Sequence, residues 1–212
     1  MSKLKLQFIN PILVALAFIE GLWAYSRLPE KVASHWNAQG QVDAYSSKSS
    51  GAFTMPIIIL VVYLLLLVLP KIDPKRKVAG IIGIFNLFIT VFLLFMIYIY
   101  NLTIAYNIKG EFDFLKAMLP ALGIFFYFIG WMLPQAKPNW FIGIRTPWTL
   151  SSDKVWEKSH ELGGKLFKAS GILILLGFLF PRHAIYFVFV PVIASALYTT
   201  IYSYFEYNKE KK

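Results

Sequence analysis

The chain has 212 residues, of which 58% are hydrophobic and 15% are charged, and its mean hydropathy is +0.60. Such a chain has too little polar surface to cover a soluble globule of this size, so we predict an integral membrane protein. The net charge of +10 could indicate a nucleic-acid-binding protein, but the basic residues cluster at the ends of apolar runs, where lipid headgroups would meet them. We therefore expect the lipid bilayer as a partner and no direct nucleic-acid binding. The absence of cysteine excludes disulfides and thiolate chemistry.

Six apolar runs follow one another along the chain, and most have about the 20 residues that a helix needs to cross a bilayer. The runs cover residues 8–26, 52–69, 78–100, 114–133, 166–180 and 184–205. The fifth run is the shortest, and the first is interpreted as an uncleaved span rather than a signal peptide. The expected fold is an all-α integral membrane protein with six transmembrane helices in a single membrane domain, 1–212.

The basic residues indicate how these spans are oriented. With the N-terminus inside, 15 of the 21 Lys and Arg residues fall on the inner side of a six-span chain and 6 fall on the outer side. This is the direction that the positive-inside rule requires, and losing the fifth span would move the basic tail outside. We therefore predict that both termini are cytoplasmic.

Two connections are long enough to have structure of their own. The outer loop, 27–51, joins the first two spans within an amino-terminal region, 6–70. The inner loop, 134–165, belongs to a carboxy-terminal region, 114–212, that holds the last three spans. Connections longer than about a dozen residues are usually functional or disordered, and three of the six Trp residues lie in the inner loop, which argues against disorder there.

Polar residues inside the spans are few. Glu20 lies near the outer end of the first span, where we expect its carboxylate to pair with Arg182, His183 or a backbone group; a proton or ion site is the alternative. Asn86 and Thr90 are one helical turn apart, and we expect them to hold neighbouring helices together rather than to bind a ligand.

The outer loop contains His35 and Asp43, and His183 lies on the same predicted side of the membrane. These are the residue types of a zinc site, but their spacing matches no known metal pattern. The favoured interpretation is that His35 and Trp36 form a pair at the level of the lipid headgroups, with residues 37–40 as a turn. No metal or other cofactor is expected.

In the inner loop, Ser152 or Asp153 can cap a short helix that ends at 163–164 and lies in the interface with Trp156 as an anchor. Glu157 and His160 are one turn apart on it, so an acid/base pair is geometrically possible. Because no nucleophile is evident, we expect His160 to be a structural hydrogen-bonding residue, and we do not expect an enzyme.

Arg145 stands among apolar residues in the same loop. A bare cation is costly there, so its guanidinium needs a carboxylate, a phosphate or carbonyl oxygens. The candidates are a lipid phosphate, Asp153, Glu157 or a partner protein.

Two long motifs resemble the SdpI family of bacterial membrane proteins. In the inner loop the motif is N-x-x-x-G-x-R-T-x-W-T followed by W-x-x-x-H-x-x-x-G, matched at Asn139, Gly143, Arg145, Thr146, Trp148, Thr149, Trp156, His160 and Gly164. In the outer loop, the family's LP…H-[WF]…G…D…[YW]…K signature is matched at Leu28, Pro29, Val32, His35, Trp36, Gly40, Asp43, Tyr45 and Lys48.

The resemblance implies a multi-pass protein of the bacterial cytoplasmic membrane that confers immunity against a secreted toxin peptide. It also implies signalling by binding a cytoplasmic repressor. Toxin contact would fall on the outer-loop residues His35, Trp36, Gly40, Asp43 and Tyr45. Inner-loop recognition would fall on Asn139, Gly143, Arg145, Trp148, Trp156 and His160.

Two other classes of function stay open at this point. A small membrane transporter or channel would have to use the few polar groups in the spans, which are Glu20, Asn86 and Thr90. A membrane-embedded enzyme acting on lipid or peptide would rest on Arg145, Glu157 and His160. Neither a pore lining nor a nucleophile is visible in the sequence, so both rank below immunity.

Overall fold

The computed structural model describes residues 3–73, 80–110 and 112–211. Its helices are α1 (Lys3–Tyr25), α2 (Lys48–Ile72), α3 (Ile82–Lys109), α4 (Phe114–Met132), α5 (Pro147–Ser151), α6 (Asp153–Leu176) and α7 (Ala184–Glu210). Two strands, β1 (Lys31–Trp36) and β2 (Val42–Ser47), lie between α1 and α2. Short 3-10 turns occupy 133–135, 177–179 and 181–183.

All of these helices except α5 are long and apolar enough to cross a membrane, which confirms the six predicted spans. Their large apolar side chains are exposed along most of their length, as expected where lipid rather than protein covers a helix. The third span reaches Lys109, beyond the predicted end at residue 100, and its predicted start at residue 78 lies outside the described residues.

The prediction that a short interface helix ends at 163–164 was wrong. Instead, α6 runs without interruption from Asp153 to Leu176, so the inner-loop helix and the weak fifth span are one helix. Ser152 caps it, its Oγ accepting a hydrogen bond from the Val155 N–H at 3.2 Å. Gly163 and Gly164 do not stop the helix because they serve packing: a Cβ on Gly164 would lie 2.8 Å from the Gly130 carbonyl oxygen.

The spans pack in two groups. Helices α1, α2 and α3 enclose one set of buried residues, which includes Val14, Ile59 and Phe85. Helices α4, α6 and α7 enclose another around Leu119 and Ile174. Stacked phenylalanine rings on α3 and α4 join the two groups.

Hydroxyl groups connect helices inside both groups. The Thr90 hydroxyl on α3 contacts the Asn10 side-chain oxygen on α1 at 2.7 Å and the Asn86 carbonyl oxygen at 2.9 Å. The Ser170 and Ser195 hydroxyls link α6 to α7 at 2.9 Å. Thr90 therefore holds neighbouring helices together as predicted, with Asn86 buried beside it on α3.

Helices α4 and α6 approach each other closely at two levels, because glycine removes the side chain at each crossing. A Cβ on Gly171 would lie 2.6 Å from the Gly123 carbonyl oxygen and 2.6 Å from the Tyr127 nitrogen. The Gly130 and Gly164 pair repeats the arrangement nearer the inner loop. Small residues allow this backbone-to-backbone contact, which drives helix association in membranes.

We expect Gly171→Ala to destabilise the protein by about 1–3 kcal/mol, because the added methyl meets main-chain atoms that cannot rotate away. Thermal unfolding of the detergent-solubilised protein measures this. Gly80→Ala is the matched control, since a Cβ there meets nothing within 4 Å. Equal unfolding temperatures for the two variants would contradict the proposed close packing.

Candidate functional site

The outer loop folds into an antiparallel β-hairpin, a two-stranded sheet that the all-α prediction did not contain. The predicted turn at 37–40 is confirmed: Asn37 Oδ1 accepts hydrogen bonds from the Gln39 and Gln41 N–H groups, both at 3.0 Å. Gly40 adopts φ +77°, a conformation that favours glycine. The pairing is irregular on either side of His35.

One face of the hairpin is anchored to the helices. The Trp36 ring stacks on Phe114 of α4 at 3.8 Å between ring centres and meets Tyr106 of α3 edge-on at 5.1 Å. The Asn107 side chain on α3 binds the backbone of Ala33 twice, accepting from its N–H at 2.7 Å and donating to its carbonyl at 3.0 Å. Asn107 thereby forms, with the edge of β1, two hydrogen bonds of the kind that a neighbouring strand would form.

The other face of the hairpin is exposed. His35 Nδ1 and Asp43 Oδ1 are 2.5 Å apart, and the two side chains are 66% and 43% exposed. Tyr45 is 64% exposed nearby on β2. The predicted His35–Trp36 pair is wrong, because Trp36 packs inward while His35 bonds to Asp43 across the strands.

Metal ligands do not converge at the outer end of the bundle in the described part of the chain, where no group of three His, Asp or Glu could hold an ion. His183, the third residue considered for zinc, lies beside Tyr186 at 6.4 Å between ring centres. Glu20 accepts a hydrogen bond from Asn101 Nδ2 at 3.2 Å. The prediction that Glu20 pairs with Arg182, His183 or a backbone group was therefore wrong, since its partner is an amide side chain on α3.

At the opposite end of α4, the inner loop is built around a fully buried asparagine. Asn139 Oδ1 accepts hydrogen bonds from the N–H groups of Phe141 and Ile142, at 2.8 and 2.7 Å. Its Nδ2 donates to the carbonyls of Lys137 and Ile142, at 2.8 and 3.0 Å. All four hydrogen bonds of the Asn139 amide are thus made to the backbone of the loop.

His160 attaches this loop to α6. Its Nε2 accepts a hydrogen bond from the Ile144 N–H at 3.0 Å, and its Nδ1 donates to the Trp156 carbonyl at 2.8 Å. The ring is 1% exposed and stacks on Trp156 at 4.0 Å. An imidazole that accepts at one nitrogen and donates at the other is neutral. Gly143, at φ +112°, lies so close that a Cβ would collide with Nε2.

Residues that the sequence analysis undervalued complete the loop. Thr146 and Thr149 form a capping box at the start of α5, and Thr149 Oγ1 contacts the Ile144 carbonyl at 2.8 Å. The Thr146 hydroxyl also meets Ser203 of α7 at 3.0 Å. The T-P-W-T sequence, a threonine before a proline with a second threonine three positions on, was a signal for this cap.

Trp156 is buried and Trp148 is partly buried, and both side chains pack within the protein. Trp156 is 2% exposed and donates from Nε1 to the Ala136 carbonyl at 2.7 Å, so it fills the loop instead of anchoring a helix in the interface. Trp148 is partly buried and meets the Tyr204 ring edge-on at 5.1 Å. The predicted anchor role of Trp156 was wrong, because α6 turns this side chain toward the protein.

Arg145 is the exposed member of the predicted inner set. Its Nη1 donates to the Trp140 carbonyl at 2.8 Å. Within the described residues, no carboxylate lies within ion-pair distance of the guanidinium, so neither Asp153 nor Glu157 is the partner considered above. Trp140 itself is 48% exposed.

An ion-pair network on the same face was not predicted. Glu206 of α7 is only 6% exposed and accepts hydrogen bonds from Lys158 Nζ at 2.6 Å and Lys209 Nζ at 2.8 Å. Ser152 Oγ donates to Glu210 at 2.5 Å. This network fixes the end of α7 to the beginning of α6, and only its Glu206–Lys209 part has a spacing visible in the sequence.

Comparisons with known proteins match two separate parts of the chain to family models. Residues 135–203, from the inner loop into α7, match the model of the SdpI/YfhL protein family, and residues 12–60 match a domain of unknown function (DUF1648). The chain is 28% identical over 208 residues to "Immunity protein SdpI" of Bacillus subtilis (strain 168), covering 97% of this chain and 98% of that relative. No solved structure gives a significant match.

We expect His160→Ala to loosen the inner loop, because the variant loses the bond to Ile144 and the stacking on Trp156. One buried hydrogen bond contributes about 1 kcal/mol, so trypsin cleavage after Arg145 should be roughly fivefold faster. Timed digestion of the purified protein in detergent measures this rate. His35→Ala is the control, because it removes an imidazole from the outer hairpin, and a rate as high in that variant would contradict the role of His160.

Proposed function

We propose that the chain belongs to the SdpI/YfhL protein family, whose model matches residues 135–203, and that it is a multi-pass membrane immunity protein that protects a bacterial cell from a toxic secreted peptide. The observation that carries this proposal is the similarity to "Immunity protein SdpI", which extends over 97% of the chain. Six helices able to span a membrane agree with a location in the bacterial cytoplasmic membrane. Both termini lie inside in this proposal, as the distribution of basic residues indicates.

The outer hairpin is the surface that we assign to the toxin. A secreted peptide arrives from outside, and the hairpin presents His35, Asp43 and Tyr45 at that end of the spans. Tyrosine is enriched in protein interfaces because it combines a large apolar ring with a polar hydroxyl. Trp36 and Gly40 support the surface from behind, through the contact with Phe114 and the tight turn.

The anchoring of the hairpin suits a recognition surface. Asn107 and Trp36 hold β1 against α3 and α4, so little conformational freedom is lost when a peptide binds the outer face. A peptide held there would be kept at the level of the headgroups before its apolar residues enter the bilayer. In this proposal, protection follows because a peptide held at the headgroups does not insert into the bilayer.

Signalling through a cytoplasmic repressor is a separate proposal that also rests on the family. Asn139, Trp156 and His160 are buried, so their part would be to maintain the loop. The exposed inner face of α6, with Glu157 and Glu161, is the surface that we assign to a soluble partner. Glu157→Lys should then abolish recruitment of the repressor to membranes and leave protection unchanged.

A non-enzymatic role is part of the proposal and is supported by the geometry of His160. Both ring nitrogens are engaged, one with Ile144 and one with Trp156, and the ring is enclosed. Glu157 lies on the exposed side of the helix. His160 therefore offers no free ring nitrogen to a substrate, and it does not act together with the exposed Glu157 as an acid/base pair.

Protection is tested by expressing the chain in a bacterium that is sensitive to a secreted toxin peptide of this kind. We expect survival to rise on expression and the double variant His35→Ala/Tyr45→Ala to lose most of the protection, because it removes two exposed side chains of the hairpin. The measurement is the growth-inhibiting toxin concentration, with protein amounts in the membrane compared by immunoblot.

Arg182→Ala is the matched control, since Arg182 is exposed in another outer connection. Protection should survive that change. Full protection by the hairpin variant would reject the hairpin as the toxin surface. Unchanged sensitivity with the unmodified chain, across the candidate toxin peptides, would reject immunity itself.

A further inference from the structure

We propose that Arg145, together with Trp140, forms a binding site for the phosphate of an anionic phospholipid headgroup on the inner face of the membrane. The site is distinct from the outer hairpin and does not depend on the immunity proposal. The chemical group recognised is a phosphate diester with a neighbouring apolar chain, as in phosphatidylglycerol.

The first step is the unused hydrogen-bonding capacity of Arg145. A guanidinium carries five N–H donors in a fixed plane, and one nitrogen, Nη1, is occupied by the Trp140 carbonyl at 2.8 Å. No carboxylate of the described residues pairs with it, and the side chain is exposed. The remaining donors match two oxygens of one phosphate.

The second step is that the loop holds the guanidinium in place. Asn139 fixes the turn before Arg145 through four hydrogen bonds. His160 accepts a hydrogen bond from the N–H of Ile144, the residue immediately before Arg145. Thr149 contacts the Ile144 carbonyl from the other side. A cation positioned in advance loses less conformational entropy when it binds an anion.

The third step is the aromatic surroundings. Trp140 is 48% exposed, and Tyr204, against which Trp148 packs, is 43% exposed. Trp and Tyr concentrate at the level of lipid headgroups because their rings are apolar and their polar atoms reach water. A soluble acidic protein would not require such side chains, so the aromatic neighbours favour a lipid as the source of the phosphate.

The fourth step is the charge of the surface. Residues 136–165 contain five basic and three acidic side chains, a net charge of +2. Lys158 is paired with Glu206 and Lys165 with Glu161, whereas Lys137 is exposed beside the loop. Each unpaired Lys or Arg near a membrane surface adds to the attraction for anionic lipids.

The test measures lipid binding to the full-length protein purified in a neutral detergent. Short-chain phosphatidylglycerol, the zwitterionic phosphatidylcholine and soluble glycerol phosphate are titrated separately, and bound molecules are counted by native mass spectrometry. We expect selective binding of phosphatidylglycerol and a roughly fivefold weaker affinity in Arg145→Gln. Arg145→Lys keeps the charge but not the planar guanidinium, so its affinity should lie between those of the unmodified protein and Arg145→Gln.

The matched control is Arg27→Gln. Like Arg145, Arg27 donates from Nη1 to a tryptophan carbonyl, that of Trp23, at 2.9 Å, and its guanidinium additionally lies 4.4 Å from the centre of the Trp23 ring. Its removal should leave the phosphatidylglycerol affinity unchanged. Unfolding temperatures of all variants are measured in parallel, and Arg145→Lys carries the test if Arg145→Gln does not accumulate.

Several outcomes would overturn the proposal. Unchanged affinity in both Arg145 variants, or an equal loss in Arg27→Gln, would remove Arg145 from the site. Equal binding of phosphatidylcholine would remove the selectivity for anionic lipid, and equal binding of glycerol phosphate would identify a site for soluble phosphate. A copurifying protein that is lost in Arg145→Gln while lipid affinity stays constant would assign the guanidinium to a protein partner.

Discussion

The inner loop depends on one constraint, which is that every backbone N–H and C=O group removed from water must find a partner within the protein. Between the end of α4 and the beginning of α6 the chain is helical only at 133–135 and in α5, and elsewhere side chains supply the missing partners. Asn139 forms hydrogen bonds with backbone groups of the turn at 137–142. His160 accepts from the N–H of Ile144, and Trp156 donates to the carbonyl of Ala136. Each of these side chains is almost completely buried, so the bonds are shielded from competing water.

This constraint separates the residues of the inner motif into two kinds. Asn139, Gly143 and His160 build the loop, and the side chains of Asn139 and His160 are too deeply buried to contact a partner. Arg145 and Trp140 are presented by it, because the bond between them uses one backbone carbonyl and leaves the side chains at the surface. The inner motif thus contains a set of buried residues that hold the loop and a small exposed surface that the loop presents.

The sequence was sufficient for the six spans because hydropathy and charge bias depend on composition within one segment. It was insufficient where the deciding contact comes from elsewhere in the chain. The glycines at 163–164 resemble a helix end, yet α6 continues through them, with Ile144 packed against Gly163 and with Pro134 and Gly130 packed against Gly164. Likewise β1 lacks a clear alternation, and its edge is completed by Asn107, which lies 74 residues from Ala33. The motifs directed attention to the inner loop, but only the burial seen in the structure distinguishes the enclosed His160 from the exposed Arg145.

The two long connections are joined by one pair of helices. Helix α4 begins at Phe114, on which Trp36 of the hairpin stacks, and it ends at Met132 before the inner loop. Along its length it contacts α6 backbone to backbone at two glycine crossings, and α6 carries His160. Such contacts resist local deformation, since main-chain atoms meet directly at each crossing and cannot change rotamer. A displacement of the hairpin would therefore reach the inner loop as a movement of α4 and α6 together, and a change confined to one side chain would not.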